Sequence, residues 1–217
     1  MKALVIAPHP DDEVLGCGGT IARLAAEGHE VHLCIVTEAY EPEWSRDFIL
    51  NRPKEVRRAA KIIGVKDLYF LGFPTVKIDT IPQKDLNAKL QAIFDAVKPD
   101  WFFIPHAGDC MKDHRLIHEA CLVISRPHRH RCRQILAYET LSETEWGLSN
   151  VPFQPNYYVD ISGFIDLKLQ AFAVYESENI PAPHPRNVET LTALARKRGS
   201  EVNVMHAEAF MLVRSIY

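Results

Sequence analysis

A chain of 217 residues with 47 per cent hydrophobic content can bury a sizeable core, and its length fits one large α/β domain. Charged residues make up 24 per cent and are spread along the chain, with a formal net charge of −3. That balance excludes the composition of disorder and argues against nucleic acid as a partner, so a small polar substrate fits better.

The apolar run Lys2 to Ala7 predicts a strand, and Pro-His-Pro-Asp-Asp follows it at once. The run is too short for a signal-peptide core or a membrane span, so a cytoplasmic protein with no membrane span is expected. Glu13 to Glu27 reads as a helix and Val31 to Val36 as a second strand, a spacing that suits a right-handed βαβ crossover and a parallel sheet. The pattern repeats with a helix over Arg46 to Ile63, a strand over Asp67 to Leu71, a helix over Lys84 to Val97 and a strand over Trp101 to Ile104. A Rossmann-like, doubly wound α/β fold follows, its sheet mostly parallel with helices on both faces, and residues 1–217 form a single domain. Beyond it, Asp113 to Ser125 reads as helical, Gln134 to Glu139 and Tyr157 to Ile161 as strands, and Ile165 to Glu176 as an amphipathic helix. Ile180 to Arg186, with prolines at 181, 183 and 185, reads as an extended loop. The 5 cysteines, at 17, 34, 110, 121 and 132, are an odd number without paired spacing and suit reduced thiols.

In open α/β sheets, ligands bind beyond the carboxyl ends of the strands. Two chemically rich segments fall there: His9 to Asp12 after the first strand, and His106 to His114 after the strand ending near Ile104. His9, Asp11 and Asp12 place one imidazole and two carboxylates at a strand end and a helix start. Imidazole with carboxylate suits zinc, which takes three protein ligands in catalytic sites and keeps a position open for water. His114 can converge on the first cluster as the third ligand. His118, four residues later on the same helix face, offers an alternative pairing with His114. Taken alone, Asp11 or Asp12 can equally well cap the first helix.

Ala7-Pro8-His9-Pro10-Asp11-Asp12-Glu13, continuing to Gly16, Gly18, Gly19 and Thr20, resembles the opening signature of the LmbE-like or PIG-L-type deacetylases. Gly108-Asp109 to Asp113-His114-Arg115 resembles that family's second motif. Weaker similarity spans Arg52 and Glu55, Phe73-Pro74, Pro183-His184-Pro185-Arg186, and Ala207-Glu208-Ala209-Phe210. The resemblance implies a zinc-dependent removal of an acetyl or other acyl group from the nitrogen of an amino sugar or its conjugate. It implies His9, Asp12 and His114 as zinc ligands and Asp11 as the general base, with Asp113 orienting an imidazole or capping its helix.

One position departs from the family pattern. Many members carry a histidine three positions before the last ligand, where it polarises the carbonyl; here that position is Met111, and a thioether donates no hydrogen bond. His106 and His184 are the leading substitutes, each with an ordinary surface histidine as the competing reading. A branch of the family also lacks the usual histidine and has a Pro-His-Pro-Arg segment. Arg57 and Arg186 are candidates to grip a substrate phosphate or carboxylate, and Trp146 to stack on a sugar ring. Arg126, Arg129, Arg131 and Arg133, interspersed with His128 and His130, read as a solvated connection.

Two other functions compete. A dinucleotide reading of Gly16, Gly18 and Gly19 is disfavoured because two carboxylates occupy the turn where a pyrophosphate would sit. A catalytically weakened protein retained for binding or assembly is the alternative that Met111 raises. A homo-oligomer is also open, with the C-terminal segment lying across a neighbouring subunit to close its cleft.

Overall fold

The structure, a computed structural model, describes residues 1–128, 130 and 132–217. Its elements are β1 (Lys2–Ala7), α1 (Asp12–Ala26), β2 (Glu30–Glu38), α2 (Arg46–Ile62), β3 (Asp67–Pro74), α3 (Gln83–Val97), β4 (Trp101–Pro105), α4 (Lys112–Ile124), β5 (Gln134–Tyr138), β6 (Tyr157–Asp160), α5 (Ile165–Phe172), α6 (Val188–Ser200) and β7 (Ala207–Ser215). The strands form one sheet in the order β3-β2-β1-β4-β5-β7-β6. The pairings among β1 to β5 are parallel, while β7 runs antiparallel to both of its neighbours.

β1 is buried along all but its first residue, because helices cover both faces of a parallel sheet and no side of the strand meets water. Ala3, Val5 and Ala7 face a core built with α1, α2 and α5, whereas Leu4 and Ile6 face a second core built with α3 and α4. The strand order reverses at β1, which lies between β2 and β4. This is the topological switch point, and the crevice there opens between the carboxyl ends of β1 and β4.

α1 approaches the sheet closely. A Cβ on Gly16 would come within 2.2 Å of the Tyr138 ring, and one on Gly19 within 2.7 Å of Ile161. Side chains also bond its backbone: Gly19 N and Thr20 N donate to Glu208 at 2.9 and 2.7 Å, while Leu15 O accepts from Lys168 Nζ at 2.8 Å. The Gly-rich start of the helix and the Ala-Glu-Ala-Phe segment near the chain's end therefore meet in one structural joint, which seats the residues that follow β1.

Three features depart from the sequence expectation. α5 ends at Phe172, because the next turns direct Tyr175 into the core, where its hydroxyl donates to Glu13 Oε1. α6 was not expected: its buried face consists of Leu191, Ala195 and Gly199, too sparse for a clear apolar stripe. The C-terminal segment forms an interior strand of the chain's own sheet: as β7 it is hydrogen-bonded on both edges, to β5 and β6, and buries Ala207, Ala209 and Phe210. Arg126, His128 and Arg133 are exposed, whereas Arg129 and Arg131 lie outside the described residues. Among the described residues no helix is long and apolar enough to cross a membrane.

Candidate active site

The turn after β1 places His9, Asp11 and Asp12 at the switch point, and the turn after β4 brings His114 to meet them. Asp11 occupies the N-cap of α1 at φ 119°, ψ −30°, and its side chain makes no capping hydrogen bond. A non-glycine residue in this region carries strain of about 1–3 kcal/mol and persists only where its surroundings enforce it. The reading of Asp11 as a simple helix cap is therefore not what the side chain does. Asp12 Oδ2 instead accepts from the backbone N–H of His9 at 2.8 Å.

Each imidazole is oriented by a carboxylate behind it. His9 Nε2 donates to Asp113 Oδ2 at 3.1 Å, and Asp113 also accepts the backbone N–H groups of Val76 and Ile78. His114 Nδ1 donates to Asp109 Oδ2 at 2.8 Å, and Asp109 Oδ1 accepts from Thr144 Oγ1 at 2.6 Å. Carboxylates only accept, so both hydrogens lie on the far side of the rings. His9 Nδ1 and His114 Nε2 then turn lone pairs toward each other at 3.2 Å, and each lies 3.3 Å from Asp12 Oδ2. With their inner nitrogens deprotonated, the two rings and Asp12 form a triangle of acceptors that suits a cation. A tetrahedral ion with bonds of about 2.0–2.2 Å spans ligand edges of about 3.3–3.6 Å, so the donor set and its spacing fit a metal such as zinc. Asp12 Oδ1, buried and without a hydrogen-bond partner, adds an uncompensated acceptor.

Against the effect of burial, the surrounding carboxylates raise the proton affinity of both rings, so a proton competes with a metal ion for the inner nitrogens. Burial opposes protonation of His9, but its hydrogen bonds to Asp113 and Asp12 hold the imidazole up at about 9. Burial would also raise Asp12, yet His114 and His9 keep it far below the usual carboxylate range. Asp11 behaves in the opposite way: burial and the neighbouring Asp12 charge push it well above that range, with Arg186 pulling against them. Adjacent carboxylates thus separate into one that stays ionised and one that accepts a proton readily. Behind them, burial raises Glu13 to about 7 despite hydrogen bonds from Tyr175 and from backbone N–H groups, including that of Asp11.

Asp11 and His9 open into a cavity of about 180 Å³, whose walls include Thr37, Trp44, Phe48, Arg52, Met111, Glu178 and Arg186. Met111 thus lies at the cavity. The two histidines expected to substitute for it do not. His106 is buried, its Nε2 donates to Val151 O at 2.9 Å, and its ring packs edge-on against Phe153. His184 accepts the backbone N–H of Arg186 on Nδ1 and packs edge-on against Trp146. Neither is among the residues lining the cavity: His106 is held by the segment around Val151 and Phe153, and His184 by Arg186 N–H and Trp146. Trp146 is 58% exposed and lies outside the cavity wall. Arg57 stacks over Phe70 at 4.9 Å and lines a neighbouring depression. Arg186 does line the cavity, but its guanidinium already donates to Asp11, Glu143, Glu178 and Ser142. His118 Nδ1 donates to Pro105 O at 2.8 Å, which places it outside the His9, Asp12 and His114 cluster.

Sequence reasoning missed Glu178, Glu143 and the orienting role of Asp109. Asp109 had a signal, since it stands five residues before His114 in the same turn. The two glutamates had none, as isolated acids in loops.

The GlcNAc-PI de-N-acetylase (PIG-L) family profile matches residues 4–125, and the chain belongs to this family. It is 29% identical over 191 residues to the diacetylchitobiose deacetylase of Thermococcus kodakarensis, covering 82% of this chain and 70% of that protein. It is 30% identical over 183 residues to the uncharacterized deacetylase YaiS of Escherichia coli, covering 80% and 90% respectively. The crystal structure of the conserved protein TT1542 from Thermus thermophilus superposes with a TM-score of 0.81 at 29% identity, covering 99% of this chain and 96% of that one.

Proposed function

We propose that this chain is a zinc-dependent N-deacetylase that hydrolyses the amide of an N-acetylated amino sugar or amino-sugar conjugate. The carrying observation is the triangle of lone pairs on His9, Asp12 and His114 beside a strained, proton-seeking Asp11 at the floor of a cavity. Family membership and the diacetylchitobiose deacetylase relative support the substrate class.

In this reading, His9, Asp12 and His114 would hold the zinc, whose Lewis acidity would polarise the amide carbonyl and ease deprotonation of the attacking water. Asp11 takes the water's proton as attack begins and returns it to the departing nitrogen, a use that its raised proton affinity suits. Asp109 and Asp113 keep the imidazoles in the tautomer that leaves their inner nitrogens free. Arg186 holds Asp11 Oδ2 at 3.2 Å and limits the directions in which the base can turn. Met111 gives the carbonyl oxygen no hydrogen, so apart from the ligand His9 the side-chain N–H donors on the cavity wall belong to Trp44, Arg52 and Arg186. The complete set of oriented ligands disfavours a weakened binding protein.

The test is amine release from N-acetylglucosamine, N,N'-diacetylchitobiose and their conjugates by zinc-loaded protein, beside the chelated form. Zinc-dependent release supports the proposal, and silence across the panel from fully loaded protein overturns it. Asp109→Asn is expected to weaken zinc binding by about 10–100-fold through loss of the ring's orienting acceptor, measured by competition with a chromophoric chelator. An unchanged affinity would remove that role.

A further inference from the structure

The cavity over Asp11 contains two guanidinium groups, and both are already neutralised. Arg52 Nη2 donates to Glu178 Oε1 and, at 2.9 Å, to Ser177 Oγ, with Glu55 3.2 Å from Nη1. Arg186 Nη1 donates to Glu178 Oε2 at 3.0 Å and to Asp11 at 3.2 Å, and Nη2 donates to Glu143 at 3.4 Å. Glu178 therefore bridges the pair, giving one carboxylate oxygen to each arginine. The side chains of Arg52 and Arg186 are 7% and 18% exposed, so neither pairing is a screened surface contact.

Facing Asp11, Glu55, Glu143 and Glu178, the two guanidinium groups are matched by carboxylates, while Arg52 Nη1, buried without a hydrogen-bond partner, is left as a donor for a neutral acceptor such as a sugar hydroxyl. A phosphate or carboxylate entering there would have to displace Glu178 or lie beside it, and like charges in a partly desolvated site are costly. The remaining wall suits a neutral ring. Trp44 and Phe48 provide apolar faces, and the Arg52 guanidinium stacks on Phe48 at 4.4 Å, which fixes it in place rather than extending it toward a ligand.

We infer that Glu178 is a specificity-determining residue that makes this site accept neutral, hydroxyl-rich N-acyl sugars and refuse those bearing a phosphate or carboxylate. The inference rests on the deacetylase reading for its substrates, but the charge preference is separable from turnover. Wild-type zinc enzyme is compared on N-acetylglucosamine and its 6-phosphate, with Glu178→Gln assayed alongside. The expected wild-type kcat/KM favours the neutral sugar by about tenfold or more, a difference of about 1.4 kcal/mol. Glu178→Gln should narrow that ratio by about tenfold, chiefly by lowering KM for the phosphorylated sugar. A wild-type preference for the 6-phosphate overturns the inference without any variant, and so does a ratio that Glu178→Gln leaves unmoved. If neither sugar is turned over, the deacetylase reading fails for this pair. Calorimetric titration of both sugars into the zinc-loaded protein then decides the charge preference: tighter binding of the neutral sugar supports it, and equal or tighter binding of the phosphate overturns it.

Discussion

Asp11→Asn should retain stoichiometric zinc and lose about 10²–10⁴-fold in kcat, the usual contribution of a positioned general base. Asparagine preserves the side chain's shape and can still accept from Arg186 Nη1, which contacts Asp11 Oδ2 at 3.2 Å. It also tolerates positive φ better than most residues, which matters at a backbone angle of φ 119°. What it cannot do is accept and return a proton. Zinc content by mass spectrometry and amine release under saturating substrate measure the two effects separately. Full activity in Asp11→Asn would assign the base elsewhere, and loss of zinc would make Asp11 part of the metal site.

The second large effect is loss of metal. His9→Ala, Asp12→Ala and His114→Ala each remove one corner of the triangle whose edges are 3.2 and 3.3 Å, leaving two protein ligands where a catalytic zinc needs three. Each variant should lose zinc on dialysis and fall to background turnover. Binding to the folded state adds about 2.7 kcal/mol of stability at a hundredfold excess over Kd, so zinc should raise the melting temperature of the chelated wild type but not of these variants. Retention of zinc by His114→Ala together with its loss in His118→Ala would restore the alternative ligand pair. The geometry argues against that outcome, because His118 Nδ1 is bonded to Pro105 O one helical turn away.

Much of the core architecture was legible along the chain. β1 and α1 carry local signals, a continuous apolar run and then a helix opened by acidic residues, and their observed limits fall close to the expected ones. α6 and β7 were illegible for a common reason: their burial depends on partners rather than on pattern. The buried Glu208 in β7 looks like a surface residue until Lys168, Gly19 and Thr20 surround it. The same difference separates the residues of the site. His9, Asp11 and Asp12 announce themselves by density, whereas Arg186, read as either a candidate anion grip or a solvated loop charge, is held by four side chains that no local pattern announces.

The amino-acid order alone specified the doubly wound framework and the two turns from which chemistry would come, because periodicity and contiguous motifs act over a few residues. Only the tertiary structure decided how those turns complete one another. His9 meets Asp113 and His114 across separations of 104 and 105 residues, and Asp11 meets Arg186 across 175. Contacts at such distances are set by the sheet order and by what burial leaves unpaired, so the cluster of His9, Asp12 and His114 and the carboxylate-paired arginines of the cavity exist only once the strands are in place.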